Sequence, residues 1–156
     1  MVLDGHPSGT RRHPLRLVEG QKEAVSRWML ERLPEVQALP GGFEAIGIER
    51  DGILTAGLLY TNYIPCEGGG DVHMWAVGEP GWMSRRVIAA MLAYPFVQLG
   101  CHRMTVTIAR NNRKSRSISE KLGFRLEGVI REGVGPGKDL MVYGLLRRES
   151  RWKLTP

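Results

Sequence analysis

The chain has 156 residues, 42% of them hydrophobic and 24% charged, which suits one globular domain with a single core and excludes a disordered or fibrous protein. No apolar run approaches the roughly 18 residues of a membrane span, and the opening MVLDGHPSGTRRHP has no apolar region of the secretory kind. A net charge of +6 favours anionic partners (nucleic acid, a phosphate-bearing cofactor or an acidic substrate) without choosing among them, and a merely solvated basic surface would carry the same charge.

Residues 1–14 read as a flexible basic lead-in and 15–156 as a single domain. A short strand over 15–18 precedes a helix over 21–33, where Ala24, Val25, Trp28, Met29 and Leu33 recur at helical spacing until Pro34 stops them. Two strands over 43–48 and 53–63 flank the Asp51-Gly52 turn; Pro65 and Gly68-Gly69-Gly70 are expected to break the second, and a further strand spans 71–77. Ser84 is placed to cap a helix reaching about residue 99, with a kink expected at Pro95 and a stop at Gly100. A strand over 104–108, a helix over 111–124, a strand over 125–131, a glycine-rich loop over 133–137 and a last strand over 140–147 complete the order β-α-β-β-β-α-β-α-β-β. Cys66 and Cys101 lie outside any C-x-x-C spacing, so neither a disulfide framework nor a zinc site is expected, and a reducing cytoplasm fits best.

The helix over 111–124, NNRKSRSISEKLGF, is too polar for a core element. Its ends are explained: Asn111 or Asn112 caps the start, and Gly123 takes the left-handed position after the last turn. Ile118, Leu122 and Phe124 anchor it, yet Asn112, Ser115 and Ser119 lie within about a quarter-turn of one another. A line of small polar groups suits a helix that lines a cleft.

The spaced set Asn112, Ser115, Glu120-Lys121-x-Gly123-Phe124, Glu127-Gly128, Arg131, Asp139 and Tyr143-Gly144 resembles the Gcn5-related N-acetyltransferase (GNAT) superfamily. The most similar branch holds the ribosomal-protein N-terminal acetyltransferases and their bacterial and phage relatives, and the likeness covers about residues 71 to 151. It implies an α/β fold with a mixed, mostly antiparallel central sheet, helices on both faces, and a splayed strand pair forming an acyl-CoA cleft. It also implies transfer of an acetyl group from acetyl-CoA to a primary amine, on a protein N-terminus or a small molecule, with no metal. In that fold the strand before the long helix exposes backbone N–H groups to the thioester, so Trp75, Ala76 and Val77 become the expected donors.

Two departures from the family pattern stand out. Where relatives carry a glycine-rich pyrophosphate loop, this chain has Trp82-Met83-Ser84-Arg85-Arg86-Val87. Arg85 and Arg86 oppose the helix dipole, and a bound phosphate would offset that repulsion; two exposed arginines are the plain alternative. Where many relatives place an acidic tyrosine, this chain has Ser119, read either as a donor to the CoA sulfur or as a small residue making room. The expected cofactor contacts are therefore Ser84, Arg85, Arg86, Asn112 and Ser115 beside the strand donors.

His73 is a candidate base for the amine, with Glu67, Asp71 and Glu79 near the same strand; each is as readily a structural or surface group. Tyr60, Tyr63 and Trp82 are expected to shape the acceptor pocket. Two other readings share the basic surface. Arg110, Arg113, Lys114, Arg116, Lys121 and Arg125 around one helix, or Arg147, Arg148 and Arg151 around Trp152, could bind nucleic acid without catalysis, or a nucleobase amine could be the acceptor. A monomer and a homodimer are both compatible with the sequence.

Overall fold

The computed structural model describes residues 13–154, so the expected lead-in lies almost wholly outside the described residues. The elements follow the expected order: β1 (Arg16–Val18), α1 (Lys22–Leu30), β2 (Gly42–Arg50), β3 (Ile53–Cys66), β4 (Gly69–Gly78), α2 (Arg85–Ala93), β5 (Arg103–Ala109), α3 (Arg113–Leu122), β6 (Arg125–Gly135) and β7 (Lys138–Leu146). All seven strands join one sheet in the order β1-β2-β3-β4-β5-β7-β6. Every neighbouring pair is antiparallel except β4 and β5, which run parallel because α2 crosses between them.

Local chemistry sets these boundaries. Asp51 and Gly52 both take positive φ (55° and 76°), the mirror-image turn that matches strand twist in a tight hairpin. Pro65 does not break β3, contrary to expectation: it pairs with Gly70, while β2 ends its pairing at Thr61. Beyond Thr61 the β2 side of β3 is open, so a residue lacking N–H is tolerated there. Similarly, β6 runs on through Gly135 and closes a hairpin with Lys138, where a loop was expected.

Pro95 acts as the sequence predicts, with a further consequence. α2 ends at Ala93, and Tyr94–Gln98 continues as a wider π turn in which the Leu99 N–H donates to the Tyr94 carbonyl at 3.0 Å. Pro95 has no N–H for the Met91 carbonyl four residues earlier. The hydroxyl of fully buried Tyr60 on β3 donates to that carbonyl instead, at 2.7 Å.

The sheet is covered on two faces. On one, α1 sets Val25 and Met29 against Ala45 and Leu59, with Trp75 and Val77 of β4 packed on them. On the other, Val87, Ile88, Met91 and Leu92 of α2, Phe96 and Leu122 of α3 cover Ile46, Leu58, Val72, Met74, Met104, Val106 and Tyr143. Along β4, odd-numbered side chains therefore face α1 and even-numbered ones face α2.

Candidate functional site: a gap between parallel strands

β4 and β5 are paired only over Asp71–Arg103, Val72–Met104 and His73–Thr105. Beyond that point β4 runs on to Gly78 beside β3 alone, and β5 runs on to Ala109 beside β7 alone. A wedge thus opens inside the sheet, where backbone groups would otherwise be bonded.

The ladder decides which groups face the wedge. The Glu79 N–H donates to the Thr55 carbonyl on β3 (2.8 Å), and the register from Ala56–Gly78 to Thr61–His73 is unbroken. Because N–H and C=O groups alternate sides along a strand, His73, Trp75 and Val77 point theirs at β3. Ala76 and Gly78 point theirs at the wedge, whereas the Met74 N–H is taken by the last parallel pairing, at Thr105. The Gly70 carbonyl, which accepts from the His102 N–H leading into β5 (3.1 Å), has the same parity. Of the three expected donors only Ala76 survives; Trp75 and Val77 spend their backbone groups on β3, and their side chains belong to the α1 core.

α3 stands at the side of this wedge. Asn112 caps it, its Oδ1 accepting from the Ser115 N–H at 3.1 Å, and Gly123 ends it at φ 108°. Ile118 and Leu122 touch the main core on one flank of the helix. On the other flank Arg116 donates to the Tyr143 hydroxyl at 3.0 Å, and that hydroxyl donates to Glu120 at 3.3 Å. At about 100° per residue, Ser115 and Ser119 fall between these two anchored flanks and so face inward, yet both remain partly accessible.

Two basic grooves flank α3, and their charge balance differs. One, of about 590 Å³, is lined by Arg85, Ala89, Lys121, Arg151, Trp152 and Lys153. Among the described residues none of its four cations is ion-paired with a carboxylate; Arg151 instead donates to the Lys121 carbonyl at 2.6 Å, closing the end of α3. The other groove, of about 470 Å³, holds Arg110, Arg113, Arg116 and Lys138. There Arg110 pairs with Asp139 (2.9 Å), Lys138 with Glu35 (3.5 Å), and Arg116 is bonded to Tyr143 and to the Arg110 carbonyl. The first groove thus carries uncompensated positive charge, whereas carboxylates offset two of the four cations in the second.

At the apex of the wedge, on the α1 face, a layer of charged side chains replaces a covering helix. Asp71 accepts from the Thr105 hydroxyl at 3.1 Å and lies 3.4 Å from the Arg103 guanidinium, which grips Glu127 through two bonds of 2.8 and 3.3 Å. The Glu127 hydrogen bonds raise the Arg103 pKa further, with Asp71 adding to the effect. Glu127 reaches inward because β6 shifts register beside it, and because Gly144 offers no side chain: a Cβ there would collide with its carboxylate. Glu127 and Gly144 of the sequence pattern thus acquire a joint physical role. His73, the last β4 residue paired with β5, sits on this same face with its Nε2 4.0 Å from Asp71. Thr61, paired with His73 across β3, buries a hydroxyl that has no partner among the described residues.

Tyr60 cannot shape an acceptor pocket: it is wholly buried, its ring tilted 49° against Tyr94 at a centroid distance of 4.7 Å, and its hydroxyl is committed to the Met91 carbonyl. Tyr63 packs partly buried against the main core. The Trp82 ring lies across Gly78, where a Cβ would strike it, and so covers the outer end of the wedge. Ser84 uses its hydroxyl to accept from the Val87 N–H at 3.2 Å, which makes it the α2 cap. Arg85 and Arg86 are exposed in the first turn of α2, and only Arg85 lines the open groove. Sequence reasoning missed the Asp71–Thr105–Arg103–Glu127 layer, and it read Arg151 and Trp152 as a separate nucleic-acid surface. The glycine at 144 carried a signal for the first; nothing local brings 151–153 next to Arg85.

No family model matches the chain. The Bacillus subtilis (strain 168) protein named "Putative ribosomal N-acetyltransferase YdaF" is 31% identical over 115 residues, which is 69% of this chain and 61% of that protein. Mycobacterium smegmatis RimJ, solved in complex with CoA-disulfide, superposes with a TM-score of 0.68 over 88% of this chain and 84% of that one, at 16% identity. A Bacillus anthracis acetyltransferase of the GNAT family superposes with a TM-score of 0.55 over 67% of each chain, at 23% identity. The chain has the fold of the GNAT acetyltransferases. Vibrio cholerae spermidine N-acetyltransferase, solved with CoA and spermine, shares this GNAT fold with a TM-score of 0.69 over 86% of this chain and 96% of that one, at 15% identity. Among the described residues, no helix is long and apolar enough to cross a membrane, and no three His, Cys, Asp or Glu side chains converge as a metal site.

Proposed function

We propose that the chain transfers an acetyl group from acetyl-CoA to a primary amine, of a protein N-terminus or a small molecule, by direct attack within the wedge. The observation that carries this reading is the parting of β4 from β5 after His73–Thr105, which leaves the Ala76 N–H aimed into a cleft. That N–H meets the thioester oxygen as negative charge develops on it, a contribution typically of about 3 to 4 kcal/mol for one such donor. The thioester enters from the α2–α3 face, past Asn112, Ser115 and Ser119. The amine enters from the α1 face, where His73, beside Asp71, accepts its proton directly or through water. The C–N bond forms, the C–S bond breaks, and the Ser119 hydroxyl donates to the departing thiolate.

The uncompensated groove at Arg85, Lys121, Arg151 and Lys153 supports a polyphosphate-bearing co-substrate. The relatives' names support an amine acceptor: one is called ribosomal, another was solved with spermine. Two unpaired thiols, Cys66 and Cys101, suit a cytoplasmic setting. A role as a nucleic-acid binder is weakened by the ion pairs that absorb Arg110, Arg125 and Lys138. Mass-spectrometric detection of acetylated product from peptides, polyamines and oligonucleotides, each with acetyl-CoA, tests the reading. Acetylated amine is expected; modification of the oligonucleotide alone would replace it with nucleobase transfer.

A further inference from the structure

The start of α2 offers a reduced backbone cradle, with only the Arg85 and Arg86 N–H groups left in its first turn. The Val87 N–H is already taken by Ser84, the Trp82 ring lies over Gly78, and no glycine stands between 82 and 87. If a CoA thioester binds here, its nucleotide needs another seat. The C-terminal segment after β7 provides one. It runs past the end of α3, held by the Arg151 bond to the Lys121 carbonyl, and Trp152 and Leu154 rest partly buried against the main core. Three consecutive residues, Arg151, Trp152 and Lys153, face the same groove as Arg85, and small Ala89 keeps the α2 side of it open.

We propose that this segment is the nucleotide-recognition element of the chain: Trp152 stacks on the adenine, and Lys153, Arg151, Lys121 and Arg85 hold its phosphates. An aromatic face bracketed by cations, with no carboxylate in the lining, matches a purine carrying several phosphates and rejects a neutral or cationic ligand. The segment replaces the missing glycine loop with side chains from the other end of the sequence. This rests on the reading that the chain binds a CoA thioester.

The test is calorimetry with CoA and with its nucleotide fragment, 3′-phosphoadenosine 5′-diphosphate, on the wild-type chain, Trp152→Ala and Lys153→Glu. Lys153 is exposed, so its variant keeps the fold even if loss of Trp152 strains the core. The wild type is expected to bind both ligands competitively. Trp152→Ala should weaken each by about 5- to 100-fold, the range of one lost base stack, and Lys153→Glu by about tenfold, while a thermal melt of Lys153→Glu stays unchanged. Equal affinities in all three proteins, with CoA still bound, would overturn the role of the segment and leave the acyl-transfer reading standing. Failure of the wild type to bind either ligand would overturn both.

Discussion

Replacing Tyr60 by Phe removes one oxygen and, with it, the donor that stands in for the absent N–H of Pro95. The Met91 carbonyl is then buried with no partner, at a cost of about 1 to 3 kcal/mol. For a domain of this size about 2 kcal/mol corresponds to roughly 4 to 8 °C in Tm, read by circular dichroism. The effect should depend on Pro95: in a Pro95→Ala background the helix regains its own N–H, so the penalty of Tyr60→Phe should shrink by about 1 kcal/mol or more. Burial, with Tyr94 second, pushes the Tyr60 pKa upward, so the folded state keeps a proton that the unfolded state loses. That contribution is complete below the ordinary tyrosine value of 10 and is lost as pH rises above it, so Tyr60→Phe should also flatten the alkaline decline in stability. An unchanged Tm together with a raised acceptor KM would refute this reasoning and return Tyr60 to the acceptor pocket.

Proline at position 76 removes an N–H that the β3 ladder does not use, whereas proline at 77 removes one that it does. Ala76→Pro should therefore cut turnover by about 100- to 1,000-fold with a smaller loss of Tm than Val77→Pro, measured side by side. Cys101 is fully buried, and burial, with Asp71 and Cys66 adding to it, pushes its thiol up to about 11. Exposed Cys66 should thus take up one equivalent of a thiol reagent at pH 8, with a second reacting only after unfolding; two fast equivalents would contradict the packing. Asp139 accepts from the Glu132 N–H (3.0 Å) and from Arg110, which hold its carboxyl below the ordinary 3.8. Its stabilising effect is full above that value and is lost as pH falls through the lowered one, so Asp139→Asn should shallow the acid limb of a stability–pH curve.

Much of the fold was legible because local chemistry and tertiary packing agree. Asp51-Gly52, Ser84, Asn112 and Gly123 each mark a boundary that the structure keeps. The Ser115–Ser119 stripe was legible as a partly accessible polar face of α3, which neither a core nor an ordinary solvent face explains. Pro65 misled because a proline's tolerance depends on which side of its strand is paired, a property of β2 and not of β3. The donors misled for a related reason: a strand can be read from composition, but the parity of its N–H groups is fixed only by register against a neighbour. Tyr60 looked like a pocket residue because its need for a partner arises 35 positions away, at Pro95. The groove was out of reach for the same reason, being assembled from α2, α3 and the end of the chain.

The central claim is that the opened edge of β4 receives a thioester, and backbone amide spectra of the 15N-labelled protein during titration with acetyl-CoA address it most directly. The account predicts saturable shifts greatest at the amides of Ala76 and Gly78 and along 112–119, with the Ala76 proton moving downfield as it gains an acceptor. Saturable binding that leaves these amides unmoved, or no binding at millimolar acetyl-CoA, would contradict it.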